Sequence, residues 1–295
     1  MREEKPKTTL REHFDVILPA GGRITGDFAQ MAGTEVKALI SLDGQTILKR
    51  TIEALQATKR VGRLVVIGPP AALEEAGNAG VEGQLAEGAS GPDNILSGLK
   101  WLQQTSLQET SSQQTSLPQT ASQNPSSQAT ARVLIVTTDL PFLTAQTLNT
   151  FLDACPAEAD VAIPILTQQE YETRFPGTVN EFVRLKDGSF TIGSVFMLNS
   201  ATLLQIETHL RALFEARKNQ WQTARLVGFS TILQFATRQL TIARLEARVS
   251  AIAKCHGVAV QHMPAELAYD IDQSADFIYA RDHLPGNSGP FSQGL

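Results

Sequence analysis

Short apolar runs alternate with amphipathic stretches along the first half of the chain. Four runs rich in Val and Ile predict buried strands, at residues 15–19, 63–68, 132–137 and 160–165. Stretches with helical spacing lie between them, at residues 46–59, 94–102 and 144–155. Buried strands that alternate with helices predict an α/β fold. Its Rossmann-like, mainly parallel sheet would be covered by helices on both faces, which makes a three-layer sandwich.

The pattern changes in the second half of the chain. Residues 181–198 contain two strand-like runs around Asp187-Gly188, a dipeptide typical of tight hairpin turns. Helical patterns follow over about residues 200–255, then a strand near residues 258–262 and a last helix near residues 273–282. We therefore predict a late β-hairpin and a helical C-terminal region, both attached to the same domain.

Three segments lie outside the predicted core. Residues 103–131 are dominated by Gln, Ser, Thr and Ala, a composition that buries too little apolar surface to offset the entropy lost on ordering. We predict a disordered insertion here, inside a single domain that spans residues 13–283. The polar residues 1–12 and the C-terminal residues 284–295 are predicted to be flexible tails.

Composition narrows the kinds of partner. The net charge of -5 argues against binding nucleic acid or anionic membrane by bulk electrostatics. No run approaches the roughly 18 apolar residues of a membrane helix, and the first residues lack the apolar core of a signal peptide. The two cysteines, Cys155 and Cys255, show no metal-binding spacing. We expect a cytoplasmic protein that binds neither nucleic acid nor membrane, and its oligomeric state stays open.

Candidate chemistry follows two of the predicted strands. The glycine turn Gly21-Gly22 and Arg23 come after the first strand, and Asp139 comes after the third. Ligands of open α/β sheets bind at the carboxyl ends of the strands. The backbone N–H groups of a glycine turn bind phosphate oxygens, and an arginine pairs with them. Lys37, which precedes the turn Asp43-Gly44, is a further candidate for binding phosphate. Each feature also has a plain structural interpretation. The glycine turn reverses the chain, Lys37 is an exposed surface charge, and Asp139 caps a helix.

The order of these features resembles a known family. ILPAGGR, VKALISLDGQTILKRTIEAL and VTTDLPFLT together resemble the nucleotidyltransferases of the nucleotide-diphospho-sugar transferase fold, a GT-A-like fold. They are most similar to the MobA-like, or molybdenum-cofactor guanylyltransferase-like, NTP transferases. The late YDIDQSADF resembles the closing motif of that group. The resemblance implies a nucleotide-binding site formed by Leu18, Pro19, Ala20, Gly21, Gly22, Arg23, Lys37, Asn94 and Asp139.

The resemblance also implies a reaction. A phosphate oxygen of a small phosphorylated acceptor attacks the α-phosphorus of a nucleoside triphosphate, and pyrophosphate leaves. Arg23 and Lys37 would stabilise the charge that develops on the phosphates, and Asp139 would hold Mg²⁺. Asp270 or Asp272 would complete the metal site, although Asp272 reads equally well as a cap of the last helix. The resemblance to the guanylyltransferase-like group implies GTP binding, whereas the residues of this chain do not by themselves identify the nucleotide base.

Other assignments are less specific. Asn94 stands where relatives place a polar residue near the base or ribose, and it also reads as a helix N-cap. The candidates for acceptor binding are Arg174, Arg184, Thr191 and Gly193, and the two arginines also read as ordinary exposed charges. The front loop departs from the family because Arg23 follows Gly22 directly and Val36 stands where Pro is expected. There are two alternative functions. One is a GT-A-type glycosyltransferase of the related fold, which would use a nucleotide-sugar. The other is a non-catalytic nucleotide-binding module, which the altered front loop and the polar insertion favour.

Overall fold

A computed structural model describes residues 13–114, 132–205 and 229–284. Its strands, in chain order, are β1 Phe14–Pro19, β2 Ser41–Leu42, β3 Gln45–Thr46, β4 Val61–Gly68, β5 Gly83–Ala86, β6 Arg132–Val136, β7 Val161–Thr167, β8 Val183–Leu185, β9 Gly188–Ile192, β10 Val195–Asn199 and β11 Gly257–Val260. All except the small hairpin β2-β3 belong to one sheet, with the order β5-β4-β1-β6-β10-β7-β9-β8 and β11 paired to β7.

Helices cover both faces of this sheet. In chain order they are α1 Gly26–Ala32, α2 Ile47–Ala57, α3 Pro70–Asn78, α4 Gly91–Gln114, α5 Ala145–Ala154, α6 Gln168–Arg174, α7 Ser200–Gln205, α8 Phe229–Ala236, α9 Ile242–Ala253 and α10 Ser274–His283. Two short 3₁₀ turns, Lys37–Leu39 and Ala265–Leu267, lie in the connections. None of the described helices is long and apolar enough to cross a membrane.

The predicted α/β architecture is confirmed. Strands β5, β4, β1 and β6 run parallel to one another, and β11 runs parallel to β7. Alternate residues of β1 face opposite cores, as the two-residue period of a strand requires. Val16 and Leu18 pack with Leu48 on one face, while Ile17 packs with Leu99 on the other. The four sequence-predicted strands lie within or beside β1, β4, β6 and β7.

The prediction for the late hairpin was wrong in its second strand. β8 and β9 do form a hairpin in which Leu185 pairs with Gly188. The apolar run does not continue as one strand, because it breaks after Ile192. Its second part, β10, lies on the other side of β7 from β9, between β6 and β7, and pairs antiparallel with both. The break is fixed by hydrogen bonds, since the Gly193 N–H donates to the Pro164 carbonyl and the Ser194 N–H to the Leu267 carbonyl.

The predicted insertion begins later than the composition suggests. Helix α4 continues beyond residue 102 to Gln114, so residues 103–114 are helical rather than disordered. Gln, Glu and Leu are good helix formers, and a helix already nucleated on the core extends at little cost through such residues. Residues 1–12, 115–131, 206–228 and 285–295 lie outside the described residues, so the predictions for them remain predictions. Leu284, the first residue of the predicted C-terminal tail, is buried.

Candidate active site

The first strand ends in the predicted glycine turn, beside the end of β6. Leu18 and Ala20 are buried, and the Ala20 N–H donates to the carbonyl of Ile67 at the end of β4, 2.7 Å away. The Thr138 hydroxyl donates to the carbonyl of Pro19 over 2.9 Å, which ties the ends of β1 and β6 together. The turn therefore lies at the carboxyl edge of the parallel strands, where ligands of such sheets bind.

Backbone hydrogen bonds join the glycine turn to the segment that carries Lys37. The Lys37 N–H donates to the Gly22 carbonyl and the Ile24 N–H donates to the Glu35 carbonyl, each over 2.9 Å. The methylene stem of Lys37 packs over Gly22, where a side chain would come within 3.4 Å of the Lys37 Cβ. The glycine turn and Lys37 consequently form one structural unit, although they are separated along the sequence.

Lys37 reaches across to two carboxylates. Its Nζ lies 3.1 Å from Asp139 Oδ2 and also contacts Asp272 Oδ1. Burial works to lower the pKa of Lys37, but the attraction of Asp139 and Asp272 outweighs it and the pKa is raised. Lys37 is therefore a fixed positive charge and not a solvated surface residue, since its side chain is only 15% exposed.

Three carboxylates meet at this point. Asp139, Asp270 and Asp272 each offer an oxygen within 4.8 Å of the others, and we call these three residues the acidic triad. The Ile271 N–H donates to the Asp139 carbonyl over 3.0 Å, which brings the closing motif against the end of β6. The Oδ1 atom of Asp139 is buried and has no hydrogen-bond partner. A buried, unpaired oxygen in a cluster of carboxylates fits a hard divalent cation such as Mg²⁺.

The structure shows what caps α10 and what the Asp272 side chain contacts. The cap of α10 is Gln273, and the Asp276 carboxylate accepts hydrogen bonds from the backbone N–H groups of both Asp272 and Gln273. The Asp272 side chain instead contacts Lys37, so the alternative interpretation of Asp272 as a helix cap is wrong, and its role as a metal ligand stays a prediction. Both Asp270 and Asp272 belong to the triad, which means that the chain offers two partners for Asp139 rather than one.

Asp270 is the most perturbed carboxyl group of the triad. Burial raises its pKa, and the neighbouring charges of Asp139 and Asp272 raise it further, to about 7. The protonated form of Asp270 is therefore stabilised in the metal-free protein at a pH where an ordinary aspartate is fully ionised. A bound divalent cation would reverse this preference, because it attracts the ionised form.

The raised pKa of Asp270 predicts a pH-dependent stability. Between about pH 4 and pH 7 the folded metal-free protein holds a proton on Asp270 that the unfolded chain releases, so this group stabilises the fold as the pH falls. We expect the free energy of unfolding of wild type, relative to Asp270→Asn, to rise from pH 8 to pH 5 in EDTA. Urea denaturation of both proteins measures this difference. A difference that stays constant over that range would contradict the assignment.

The Arg23 side chain turns back over the glycine turn. Its Nη1 donates to the Gly21 carbonyl over 2.6 Å, and its Nη2 pairs with the Glu87 carboxylate. Glu87 directly follows β5, so it lies at the same sheet edge as the turn. Sequence reasoning missed Glu87 because β5 has four residues, two of them Gly and Gln, and shows no apolar run. The rule that residues after parallel strands carry ligand contacts would have found it once β5 was known.

Asn94 lies beside the turn, and the N-cap interpretation of this residue was wrong. It is within the first turns of α4, which begins at Gly91, and it is buried. Its Oδ1 accepts a hydrogen bond from the Gly88 N–H over 2.6 Å. Its Nδ2 lies 3.7 Å from the position that a Cβ on Gly21 would take. Asn94 therefore lies beside the glycine turn, and its role in nucleotide binding stays a prediction.

The four predicted acceptor residues make contacts of other kinds in the structure. Arg174 on α6 pairs with Glu266 over 2.6 Å and lies over the Phe175 ring, and Arg184 is exposed on β8. Thr191 and Gly193 are both buried. A Cβ on Gly193 would lie 2.8 Å from the carbonyl oxygen of Leu267, so this glycine is required for packing. In the described ranges no hydrogen bond or ion pair joins these four residues to the triad, and their acceptor roles remain predictions.

Several solved structures are similar to this chain over most of its length. A hypothetical transferase from Thermus thermophilus is 26% identical, with a TM-score of 0.72 over 90% of this chain and 99% of its own. 4-Diphosphocytidyl-2C-methyl-D-erythritol synthase from Anaerococcus prevotii is 12% identical, with a TM-score of 0.51 over 92% of this chain and 98% of its own. CMP:2-keto-3-deoxy-manno-octonic acid synthetase, solved with CTP, is 14% identical, with a TM-score of 0.51 over 92% and 97%. These last two likenesses show the fold alone.

Sequence comparison identifies the family. No curated protein matches this chain. The family model of the MobA-like NTP transferase domain matches residues 16–221, which is more than half of the chain and includes the glycine turn, Lys37 and Asp139. The chain is therefore a member of the MobA-like NTP transferase family, with the nucleotidyltransferase fold of that family.

Proposed function

We propose that this protein is a Mg²⁺-dependent nucleotidyltransferase that transfers a nucleoside monophosphate from a triphosphate to a small phosphorylated acceptor and releases pyrophosphate. One observation carries the proposal: Lys37 joins the glycine turn to the acidic triad. A phosphate-binding turn, a buried cation and a cluster of carboxylates are the parts that metal-assisted transfer at a phosphorus atom needs. GTP is our candidate donor, from the resemblance to guanylyltransferases.

The chain's own residues would divide this work. Gly21 and Gly22 let a triphosphate approach the backbone, because neither has a side chain in the way. Arg23 and Lys37 then neutralise charge on the α-phosphate and on the leaving pyrophosphate. Asp139 would hold Mg²⁺ with Asp270 and Asp272, and the ion would supply neutralisation of the phosphate oxygens. The mechanism requires that the triphosphate and the acceptor are positioned and that the developing charge is stabilised, and it requires no covalent attack by a protein group.

Release of pyrophosphate tests the proposal. GTP, CTP, ATP and UTP would each be incubated with the protein and a panel of phosphorylated alcohols, sugars and pterins, with Mg²⁺ or with EDTA. We expect one combination to release pyrophosphate only with Mg²⁺. Parallel reactions with nucleotide-sugars separate the alternatives, since release of a nucleoside diphosphate from them would favour a glycosyltransferase and contradict the proposal.

A further inference from the structure

The guanidinium that the proposed function assigns to the triphosphate already holds a carboxylate. Arg23 donates from Nη1 to the Gly21 carbonyl, and from Nη2 to Glu87 Oε1. The side chains of Arg23 and Glu87 are 40% and 32% exposed, so this ion pair lies at the surface of the site and can open without disturbing the core. The contact with the Gly21 carbonyl leaves the positive charge of Arg23 intact, whereas the contact with Glu87 cancels it.

The second carboxylate oxygen of Glu87 lies over the glycine turn. Oε2 is 2.6 Å from the point where a Cβ on Gly21 would stand. The face of the turn that glycine leaves open for a ligand is therefore covered by a negatively charged oxygen. A phosphate group that approached the backbone of Gly21 would meet this oxygen first, and the two like charges would repel each other.

The backbone around Glu87 is anchored by hydrogen bonds, whereas its side chain is partly exposed. The Glu87 N–H donates to the carbonyl of Gly68 at the end of β4 over 3.3 Å. The next N–H, that of Gly88, donates to the buried Asn94 side chain over 2.6 Å. The two contacts place the carboxylate against the turn. Rotation of the side chain is sufficient to remove it, because neither anchor involves the carboxylate itself.

We propose that Glu87 is a built-in competitor of the triphosphate. Its carboxylate occupies the anion position formed by Arg23 and the Gly21 turn, and it rotates away when a triphosphate binds. This inference rests on the proposed function, because it takes the turn to be the triphosphate site. The competitor sets the affinity of the site below the value that Arg23 and the turn alone would give. Pyrophosphate leaves the same turn after transfer, so the returning carboxylate favours its release.

Titration calorimetry of Glu87→Gln tests the proposal, with inorganic tripolyphosphate as the probe. Glutamine has the size of glutamate but lacks the charge, so we expect the dissociation constant to fall about threefold or more. An exposed ion pair of ordinary strength corresponds to a change of up to about fivefold. Glu82→Gln is the matched control, because it makes the same change at an exposed residue just before the opposite end of β5. Its dissociation constant should equal that of wild type.

A second background shows whether Glu87 acts through Arg23. In the Arg23→Ala protein the carboxylate has no guanidinium to neutralise, so adding Glu87→Gln should tighten binding by less than it does in wild type. Unchanged or weaker binding of tripolyphosphate by Glu87→Gln would overturn the inference. Absence of tripolyphosphate binding in both wild type and Glu87→Gln would overturn it as well.

The probe separates this inference from the proposed function. Tripolyphosphate has no base and no nucleoside to transfer, so its binding reports on Glu87 whether or not the protein transfers a nucleotide. Tighter binding by Glu87→Gln, together with no pyrophosphate release in any reaction, would support the competitor and contradict the transferase. Pyrophosphate release with unchanged tripolyphosphate binding would support the transferase and overturn the competitor.

Discussion

Asp139→Asn should lower the rate of pyrophosphate release by about 10³-fold or more, with little loss of stability. The substitution keeps the size of the side chain but removes the charge that would hold Mg²⁺ opposite the phosphates. The variant also loses one of the two carboxylate partners of Lys37, yet it relieves the repulsion among the three carboxylates of the triad. Steady-state turnover at saturating triphosphate and Mg²⁺, measured beside a thermal melt, checks both parts of this expectation.

Asp27→Asn is the control for this change. Asp27 is exposed in the first turn of α1, so the same substitution there removes a charge without touching the triad. Its rate should equal that of wild type. A wild-type rate in Asp139→Asn would contradict the role of Asp139 as a metal ligand. If Asp139→Asn does not fold, Asp139→Ala replaces it, and an active Asp139→Ala protein would contradict the role in the same way.

Lys37→Ala should have the second largest effect, and it should act on rate and stability together. The ammonium group that would neutralise the phosphates is lost, and we expect the rate to fall by roughly 10²- to 10³-fold. The three carboxylates of the triad also lose their only described cation, so the metal-free protein should melt at a lower temperature than wild type. Added Mg²⁺ should restore much of that loss, because a divalent cation replaces the missing charge.

Lys49→Ala provides the matched control for Lys37. Lys49 is exposed on α2 and its side chain lies outside the triad, so neither rate nor metal-free melting temperature should change. A Lys37→Ala protein with the wild-type rate would contradict the catalytic assignment. A Lys37→Ala protein whose melting temperature responded to Mg²⁺ no more than that of wild type would contradict the link between Lys37 and the metal site.

The parallel core of the fold was predictable because its strands are short, apolar and rich in β-branched residues. The apolar runs of β1 and β6 each stop abruptly at small or polar residues, so the ends of both strands could be located in the sequence. Gly21 and Asp139 were identified as site candidates because they follow those ends. The antiparallel strand β10 was not predictable in this way. An apolar run carries no information about which neighbours it pairs with, and the break before β10 depends on hydrogen bonds to Pro164 and Leu267.

Site residues that directly follow a strand could be predicted from the sequence. Site residues that lie on the connecting segments were harder to predict. Lys37 was identified only by its order in the chain, whereas its place beside Gly22 depends on an isolated backbone bridge between Arg23 and Val36. The i, i+2 spacing of Asp270 and Asp272 suggested one shared face but left open which of them joins Asp139. Both do, because the Ile271 N–H between them is bonded to the Asp139 carbonyl.

Thermal melting with GTP, CTP, ATP and UTP, each with Mg²⁺ or with EDTA, tests the central claim most directly. A ligand at 100 times its dissociation constant adds about 2.7 kcal/mol to the free energy of unfolding, which raises the melting temperature by roughly 4 °C. The account predicts that at least one triphosphate stabilises wild type only with Mg²⁺, and that Asp139→Asn loses this response. Stabilisation that is equal in EDTA, or equal in Asp139→Asn, would contradict a metal-dependent triphosphate site at the acidic triad.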